Sequence, residues 1–512
     1  MAADLIEAVP IDELNGEQRA TYLASQHRVF AELTDLFASQ GDSDNQSTWL
    51  AFEASERGRA RSLRYALNQE TRNASAPTAA PPVAKYQRLL SDFIRVTEDT
   101  TANQSPSTLI DEIEHLTEGG GGSASLLDRP QLGRTLKQLG ATLVEYASGT
   151  TEMLAFVISE DHVQIVHLGD SREIARVTAE LRDRLRDSEA PASEVREAAS
   201  AVARLVLWPI TPYLHDSRAV VVPDDALNTV PLAVLPWADA PSQELLLQHT
   251  ETAVIPSALF LLQVHAGSST HSEMPRIALI GDPVFRVADW RRECIETDTD
   301  RPSSKSVNRT LSAWTESLPR LPGTRSEVNG IARLAHESRP GSRVETLVGC
   351  AAVPSALRRA AGTDVDLLHI ATHARIDAQR PRLSALALTP ESPQDGPAST
   401  FGLLDILGLK LNSRLVVLSA CETSRGRLLP GEGVLGPAQA FLQAGSAAVL
   451  ASYWRVDDQV TSAFMQRFYK YLLVDRLSAS AALRKTQLES AAAGRSYEWA
   501  AFSLYGWPDS SI

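Results

Sequence analysis

Helical spacing of apolar residues marks the first segment of the chain. Residues 49–70 have this spacing in WLAFEASERGRARSLRYALNQE, which follows the turn-forming stretch GDSDNQST. Residues 17–40 have it earlier, with apolar side chains at Tyr22, Val29, Phe30, Leu33, Leu36 and Phe37. Two such helices with a short connection form an antiparallel pair. We therefore predict a small α-helical N-terminal region, a helical hairpin over residues 1–72.

Residues 73–125 have no sustained periodic pattern. The stretch NASAPTAAPPVA at 73–84 is rich in Pro and Ala, and EGGGGSAS at 118–125 is rich in Gly. Between them, short helical patterns occupy 85–96 and 107–117. Sequences of this kind behave as flexible connections. We predict a linker with short helices at 73–125, and we expect the N-terminal helices to move relative to the rest of the chain.

After the glycine-rich stretch, short apolar runs alternate with helical patterns. TEMLAFVIS and HVQIVHL at 151–168 predict a β-hairpin, and a long helix is predicted over roughly 171–206. Another helix is predicted over 324–337, with Thr324 and Glu327 forming a capping box. Further strands are predicted at 217–225, 275–283, 342–349, 365–374, 413–421 and 446–454.

Most of these predicted strands are apolar on both faces, and a helix follows most of them. That pattern is typical of a parallel sheet covered by helices on both sides. We predict an α/β fold with a largely parallel sheet flanked by helices. A chain of 512 residues exceeds the usual size of a single hydrophobic core, so two or three domains are expected.

Composition restricts the classes of partner. Hydrophobic residues make up 43% and charged residues 22%, as in ordinary globular proteins. The net charge of −14 argues against general nucleic-acid binding, which requires a basic surface. We find no signal peptide and no apolar run long enough for a membrane helix, so we expect a cytoplasmic protein without a membrane partner. The three cysteines, at positions 294, 350 and 421, predict no disulfide framework and no paired metal motif, which fits a reducing compartment.

Two residues with catalytic potential follow predicted strands. His373 ends LLHIATHA and Cys421 ends LVVLSAC, and they are 421 − 373 = 48 residues apart. If the two strands are neighbours, both side chains emerge at the carboxyl edge of the sheet, where ligands of open α/β sheets bind. An imidazole there can activate a thiol nucleophile and protonate a leaving amine.

Other interpretations of these motifs remain open. A strand-end histidine or cysteine can be purely structural. His369 and His373 form an HxxxH pair, but the strand context and the missing glutamate argue against zinc. The GEGVLG stretch at 431–436 matches a nucleotide-binding pattern without the strand that should precede it. We therefore predict neither a metal nor a cofactor.

The segments DLLHIATHARIDAQRPRLSALAL and SRLVVLSACETSRGRLLPGEGVLGPAQAFLQAG together resemble the CHAT family of caspase-like cysteine peptidases. The resemblance covers residues 126–512. It implies a caspase-hemoglobinase fold, with an inactive, pseudo-caspase-like half at 126–270 and a catalytic half at 271–512. It also implies a His373–Cys421 dyad, with the backbone N–H groups of Ala374 and Cys421 forming the oxyanion hole.

The stretch WRVDD at 454–458 resembles the W-x-V-x-D element of separases, related proteases that cut after arginine. In separases the closing aspartate lines the pocket for the residue before the cut. That role falls on Asp458 here, with Asp457 as a substitute, and either would favour Arg or Lys. The alternative is that these residues cap the helix that begins near Gln459.

The sequence thus predicts a cysteine endopeptidase with a protein substrate, cleavage after a basic residue, and regulation by a partner or signal. The N-terminal hairpin, which resembles a single tetratricopeptide-type unit, is the expected contact for a regulatory protein partner. A catalytically silent scaffold with the same fold is the main alternative. A cysteine transferase or amidase on this fold is a second one.

Overall fold

The computed structural model describes the candidate catalytic region and part of the N-terminal hairpin. The linker and short helices predicted at 73–125 lie outside the described residues, as do 1–21 and 60–72. The described residues are 22–41, 45–59, 127–160, 162–239, 244–267, 274–286, 289, 293–294, 314–315, 317–362, 365–391, 399–420, 422–431, 433–493 and 496–512.

Within these residues, eleven strands form one sheet in the order β3-β2-β1-β4-β5-β16-β15-β12-β8-β6-β7. Two small sheets contain the other strands, in the orders β11-β10-β9 and β13-β14. The strands are β1 Ala141–Ser148, β2 Glu152–Ser159, β3 His162–Asp170, β4 Arg218–Val222, β5 Glu251–Val254, β6 Arg276–Gly281, β7 Arg343–Val348, β8 Leu367–Ala371, β9 Ala374–Arg375, β10 Ala385–Leu388, β11 Ser399–Gly402, β12 Leu415–Ser419, β13 Arg427–Leu429, β14 Gly433–Leu435, β15 Ala448–Ser452 and β16 Phe502–Gly506.

The large sheet divides according to chain position. Strands β1 to β5 form one side, and β6, β7, β8, β12, β15 and β16 form the other. The two sides meet where β5 pairs in parallel with β16. Pairing is parallel except for the β1-β2-β3 meander, whose β2–β3 hairpin the sequence predicts, and the antiparallel pair β15–β16. This is the α/β architecture with a largely parallel sheet that the sequence predicts.

Helices cover both faces of the sheet. Every residue of β8, β12 and β15 is buried, which explains why these strands are apolar runs without alternation. The helices are α1 His27–Gly41, α2 Asn45–Arg57, α3 Arg129–Leu139, α4 Ser171–Arg186, α5 Ala192–Val206, α6 Leu246–His249, α7 Ala258–Gly267, α8 Pro322–Ser338, α9 Pro354–Ala360, α10 Leu403–Leu407, α11 Pro437–Gln443, α12 Asp458–Tyr469, α13 Ala479–Ala493 and α14 Ser496–Trp499. No described helix has the length and apolar composition required to cross a bilayer.

Two helix predictions were wrong in detail. The single helix expected over 171–206 is two helices, because the chain leaves helical geometry at Asp187 and the second helix begins only after Pro191. The expected capping box does not form, since α8 begins at Pro322 and Glu327 faces the interior. The fully buried Glu327 carboxylate lies 3.0 Å from Nε2 of His369, without the alignment of a hydrogen bond.

The expectation of no disulfide was also wrong. Cys294 and Cys350 are joined in a disulfide, with their Cα atoms 5.6 Å apart. The two cysteines are 56 residues apart in sequence, so no local motif predicts that they pair. The fold brings Cys294 to the 3₁₀ turn Gly349–Ala351 that follows β7. Cys421 is therefore the one cysteine of the three that is not in this pair.

The N-terminal hairpin is anchored on the sheet domain, which differs from the expectation of a freely moving unit. The buried Arg59 guanidinium lies 2.9 Å from the Glu145 carboxylate and 3.4 Å from that of Asp224. Glu56 accepts hydrogen bonds from the backbone N–H groups of Ala258 (2.8 Å) and Leu259 (3.1 Å) at the start of α7. Buried charges of this kind are stable only when they are paired, so the hairpin and the sheet domain depend on each other.

Candidate active site

The strands that lead to His373 and Cys421 are neighbours. Strands β8 and β12 pair in parallel, with Ser419 opposite Ala371. The register offset is 419 − 371 = 48 residues, the same as the separation of His373 and Cys421 in sequence. Cys421 itself lies outside the described residues, whereas Ala420 and Glu422 on either side of it are described. The adjacency that the sequence argument requires is therefore present.

A pocket of about 590 Å³ opens at this edge of the sheet. His373 lines it together with Ser419 and Ala420, the two residues that precede Cys421. Both predicted specificity residues, Asp457 and Asp458, also line it. The structure thus brings together every predicted site residue except Ala374 and the undescribed Cys421 in one cavity.

His373 is held in one orientation by the backbone. Its Nε2 lies 2.9 Å from the carbonyl oxygen of Pro319. Since a carbonyl can only accept, Nε2 carries the proton and Nδ1 carries the lone pair. The residue is 6% exposed, and its ring packs on that of Phe285 at 5.2 Å between ring centroids. Burial lowers the pKa of His373, the Pro319 carbonyl opposes this, and the positive charge of Arg455 lowers the pKa further.

The turn after β12 is anchored to Ser452, the last residue of β15. Ser452 Oγ donates to the carbonyl oxygen of Ala420 at 2.7 Å, and Ser452 N–H donates to Thr423 Oγ1 at 3.1 Å. Ser424 Oγ in turn donates to the Ser452 carbonyl at 2.8 Å. These bonds attach both flanks of position 421 to the neighbouring strand. They account for the hydroxyl residues Thr423 and Ser424 after the cysteine in SACETS.

The loop that follows this turn contacts the N-terminal hairpin. Its two short strands, β13 and β14, flank Gly431, which has a φ of +70°. A Cβ at Gly431 would lie 2.4 Å from both the Gly58 carbonyl oxygen and His27 Nδ1. Glycine is therefore required for this close approach, and the hairpin and the loop after Cys421 share a surface.

The two aspartates have different roles in the structure. Asp457 is the N-cap of α12 and accepts from the backbone N–H of Gln459 at 2.8 Å. Asp458 Oδ2 instead accepts from the backbone N–H of Gly323 at 3.0 Å. A Cβ at Gly323 would lie 2.2 Å from this oxygen, so only glycine admits the contact. Burial raises the pKa of Asp458, although the Gly323 hydrogen bond opposes the shift.

Ala374 begins β9, directly after His373. It pairs with Leu386 of β10, and Ala387 N–H donates to the His373 carbonyl at 2.9 Å. The small sheet thus fixes the backbone on the C-terminal side of the histidine. Thr372 and His373 line the pocket, whereas Ala374 lies beside it in β9. Its contribution to an oxyanion hole stays a prediction.

His369, the other histidine of the HxxxH pair, is turned away from the pocket. It is fully buried, and its Nδ1 lies 3.0 Å from the Tyr469 hydroxyl. Its Nε2 faces Glu327 on α8. Within the described residues, no group of three His, Cys, Asp or Glu side chains has the geometry of a metal site. His369 is a core residue that connects β8 to the helices behind it.

Sequence reasoning missed several residues that shape the site. Pro319, Gly323 and Ser452 act through backbone groups or short polar contacts, and their partners are distant in sequence. Tyr497 is a further one, since its hydroxyl donates to the Arg455 carbonyl and its own carbonyl accepts from Trp454 Nε1. No periodic pattern or motif in the sequence predicts these two hydrogen bonds between Tyr497 and the WRVDD stretch.

Comparison with known proteins identifies a domain family and two relatives. The CHAT domain model matches residues 196–507. Tetratricopeptide repeat protein 28 of Mus musculus is 27% identical over 274 residues, which are 45% of this chain and 11% of that protein. Its Homo sapiens counterpart is 31% identical over 201 residues, or 32% of this chain and 8% of that protein. The chain therefore spans only a small part of the length of these curated relatives.

Among solved structures, the Saccharomyces cerevisiae separase–securin complex has a similar fold. The TM-score is 0.55 at 9% identity, and the match covers 96% of this chain and 37% of that chain. At this identity the likeness concerns the fold alone. The predicted caspase-like α/β fold is confirmed by it.

Proposed function

We propose that this chain, which belongs to the CHAT domain family, is a cysteine endopeptidase that uses His373 and Cys421. The observation that carries the proposal is the β8–β12 register, in which the offset of 48 residues equals the spacing of the two residues. Parallel neighbouring strands deliver their following residues to the same edge of the sheet. A pocket lined by His373 and by the residues before Cys421 opens at that edge.

The orientation of His373 supports a role as general acid and base. Nε2 is engaged by Pro319, so Nδ1 is the atom that accepts the proton of the thiol. The sulfur then attacks the scissile carbonyl carbon, and the imidazolium returns the proton to the leaving amine as the C–N bond breaks. Water then attacks the resulting thioester and gives its proton to the same nitrogen, and the C–S bond breaks so that the thiolate leaves and regains the proton from the imidazolium.

The oxyanion of the tetrahedral intermediate needs fixed donors. In the proposed mechanism these are the backbone N–H groups of Ala374 and Cys421. Two observations support a rigid framework for them. Ala374 is held in β9 by pairing with β10, and the flanks of position 421 are bonded to Ser452. Preorganised donors stabilise the developing charge without rearrangement during the reaction.

Specificity for a basic residue before the cut is proposed to come from Asp458. Its carboxylate lines the pocket and is fixed by the Gly323 N–H at 3.0 Å. The competing cap role belongs to Asp457, which already binds the first turn of α12. A fixed carboxylate in a pocket wall favours Arg or Lys through charge-assisted hydrogen bonds.

Regulation by a protein partner through the N-terminal hairpin is part of the same proposal. Support comes from the close contact of Gly431 with His27 and Gly58. A partner that displaces the hairpin would also displace the loop after Cys421. The substrate is proposed to be a protein.

The test is labelling by an irreversible peptide electrophile that ends in arginine. The wild-type chain should be modified at Cys421, and Cys421→Ala and His373→Ala should not be modified. His167→Ala is a matched control, because His167 is an exposed histidine of β3, paired with Glu152 at 3.0 Å on the opposite side of the sheet. Absence of labelling in a folded wild-type chain would favour the scaffold alternative.

A further inference from the structure

We propose that Glu422 and Arg186 form a positioning pair that fixes the turn carrying the nucleophile from the opposite half of the sheet. This inference rests on the proposed function, because it concerns the presentation of Cys421. Neither residue is part of the proposed dyad or of the specificity pocket.

The backbone of Glu422 is left-handed, with a φ of +59°. Residues with a Cβ rarely adopt this region, and glycine, asparagine and aspartate account for most cases. A glutamate there is held by its surroundings. The turn needs this conformation because Ala420 and Thr423, on either side, are both bonded to Ser452. The chain must therefore reverse between them.

The carboxylate of Glu422 is bound by two guanidinium groups. Its Oε1 lies 2.6 Å from Nη1 of Arg425 and 3.1 Å from Nη2 of Arg186. Arg425 belongs to the same turn, and its N–H donates to the Glu422 carbonyl at 2.9 Å. The Glu422 side chain is 28% exposed and that of Arg186 is 35% exposed. The pair is thus partly shielded from solvent.

Arg186 comes from the part of the chain that contains no candidate catalytic residue. It is the last residue of α4, which packs on the β1–β5 side of the sheet. The residues that follow it, Ser188 and Glu189, line the active-site pocket. The loop after α4 therefore forms part of the wall of the site, and Arg186 at the end of α4 connects this region to Glu422.

These contacts give Glu422 a function that glycine could not supply. Glycine would adopt the left-handed backbone without strain, but it would not connect the turn to α4. With glutamate, the two cations hold the strained conformation in place. Removal of Arg186 should let the turn relax, so that the thiol and His373 are aligned less often.

Two rates measure how well the turn aligns the Cys421 thiol with His373. One is the alkylation of Cys421 by iodoacetamide, and the other is hydrolysis of a peptide with arginine before the cut. Alkylation requires no peptide hydrolysis, so it tests the pair even if the wild-type chain cleaves nothing. Cys294 and Cys350 are joined in a disulfide, so without reductant the label reports on Cys421. Cys421→Ala gives the background.

Arg186→Ala should lower the alkylation rate and kcat about fivefold, with KM nearly unchanged, as is typical for the loss of one directional contact. Arg186→Lys should recover part of the loss. Arg184→Ala is the matched control, since Arg184 lies two residues earlier on α4 and pairs with Glu194 at 2.7 Å. It should behave as wild type in both assays.

The decisive comparison uses Glu422→Gly as the background. Glycine keeps the left-handed turn and has no carboxylate, so Arg186→Ala should cause no further loss there. An equal loss in both backgrounds, or no loss in Arg186→Ala alone, overturns the proposal. Thermal melts monitor folding. If Arg186→Ala does not fold, Glu422→Gln replaces it, with the same fivefold loss expected and an unchanged rate contradicting the pair.

Discussion

His373 donates a hydrogen bond from Nε2 to the carbonyl oxygen of Pro319 over 2.9 Å, although the two residues are 54 positions apart in sequence. The bond selects the tautomer with its lone pair on Nδ1. Burial, followed by the charge of Arg455, keeps the pKa of His373 below its ordinary value of 6.5. The ring is therefore neutral, and able to accept a proton, at neutral pH.

The first prediction is a pH profile. The alkylation rate of Cys421 should fall as His373 becomes protonated, with the midpoint of this limb below pH 6.5, because the folded-state pKa is lowered. The unfolded chain binds this proton more readily, so stability should also decline as the pH drops from about 6.5 towards the folded pKa. Rates measured from about pH 4.5 to about pH 8 locate the midpoint. A midpoint above 6.5 would contradict the tautomer and burial argument.

The second prediction concerns the dyad. Cys421→Ala and His373→Ala should each abolish peptide hydrolysis, because nucleophile and base act as one unit. His373→Ala should also lower the free energy of unfolding by about 1–2 kcal/mol, since its ring packs on Phe285 in the site wall. Denaturant titration and steady-state kinetics measure the two effects. Wild-type cleavage by Cys421→Ala, with loss of cleavage in Cys294→Ala, would place the nucleophile elsewhere.

The third prediction separates the two aspartates. Asp458→Ala should remove the preference for Arg or Lys before the cut, which a peptide library scanned at that position measures. Asp458→Asn is the matched variant, because it can still accept from Gly323 N–H but carries no charge. It should lose the same preference while the fold is kept.

Asp457→Ala serves as the opposite control. It should retain the preference for a basic residue and lose about 1 kcal/mol of stability, the usual effect of removing an N-cap. If the chain cleaves after Leu or Met, and Asp458→Ala does not change that cleavage, the pocket role of Asp458 is wrong. The residue then serves only to bind Gly323.

The fourth prediction concerns the N-terminal hairpin. Arg59→Met should destabilise the chain by about 3–5 kcal/mol, because Glu145 and Asp224 would remain buried without their cation. Arg28→Met is the control, since Arg28 pairs with Glu32 on the surface and is 82% exposed. Thermal unfolding of the two variants gives the difference. Equal melting temperatures would mean that the hairpin does not contribute to the stability of the sheet domain.

The sequence predicts the two strands that lead to the candidate site, but it does not predict the contacts that surround the site. Parallel strands buried on both faces are apolar runs, so β8 and β12 were recognisable, and their spacing placed His373 and Cys421 at one edge. The frame depends on contacts between distant residues. Neither the Pro319 carbonyl beside His373 nor the Arg186 side chain beside Glu422 leaves a periodic signal.

Glu327 shows that a local sequence pattern can also predict a contact that the folded chain does not make. Its position three residues after Thr324 satisfies a local capping pattern, but the tertiary fold turns it inward to face His369. The pairing of Cys294 with Cys350 was missed for a related reason, because only the folded chain brings the two together. Predictions from local sequence fail where a residue contacts a partner that is distant in sequence.

The position of β16 has a consequence for synthesis on the ribosome. Residues 502–506 form a strand inserted in the middle of the large sheet, between β5 at 251–254 and β15 at 448–452. Until that segment has left the exit tunnel, the nascent chain presents two half-sheets with unpaired inner edges, which are surfaces prone to incorrect pairing. A ribosome-bound chain that lacks β16 should therefore require chaperone protection. It also cannot assemble the complete sheet until residues 502–506 have emerged from the tunnel.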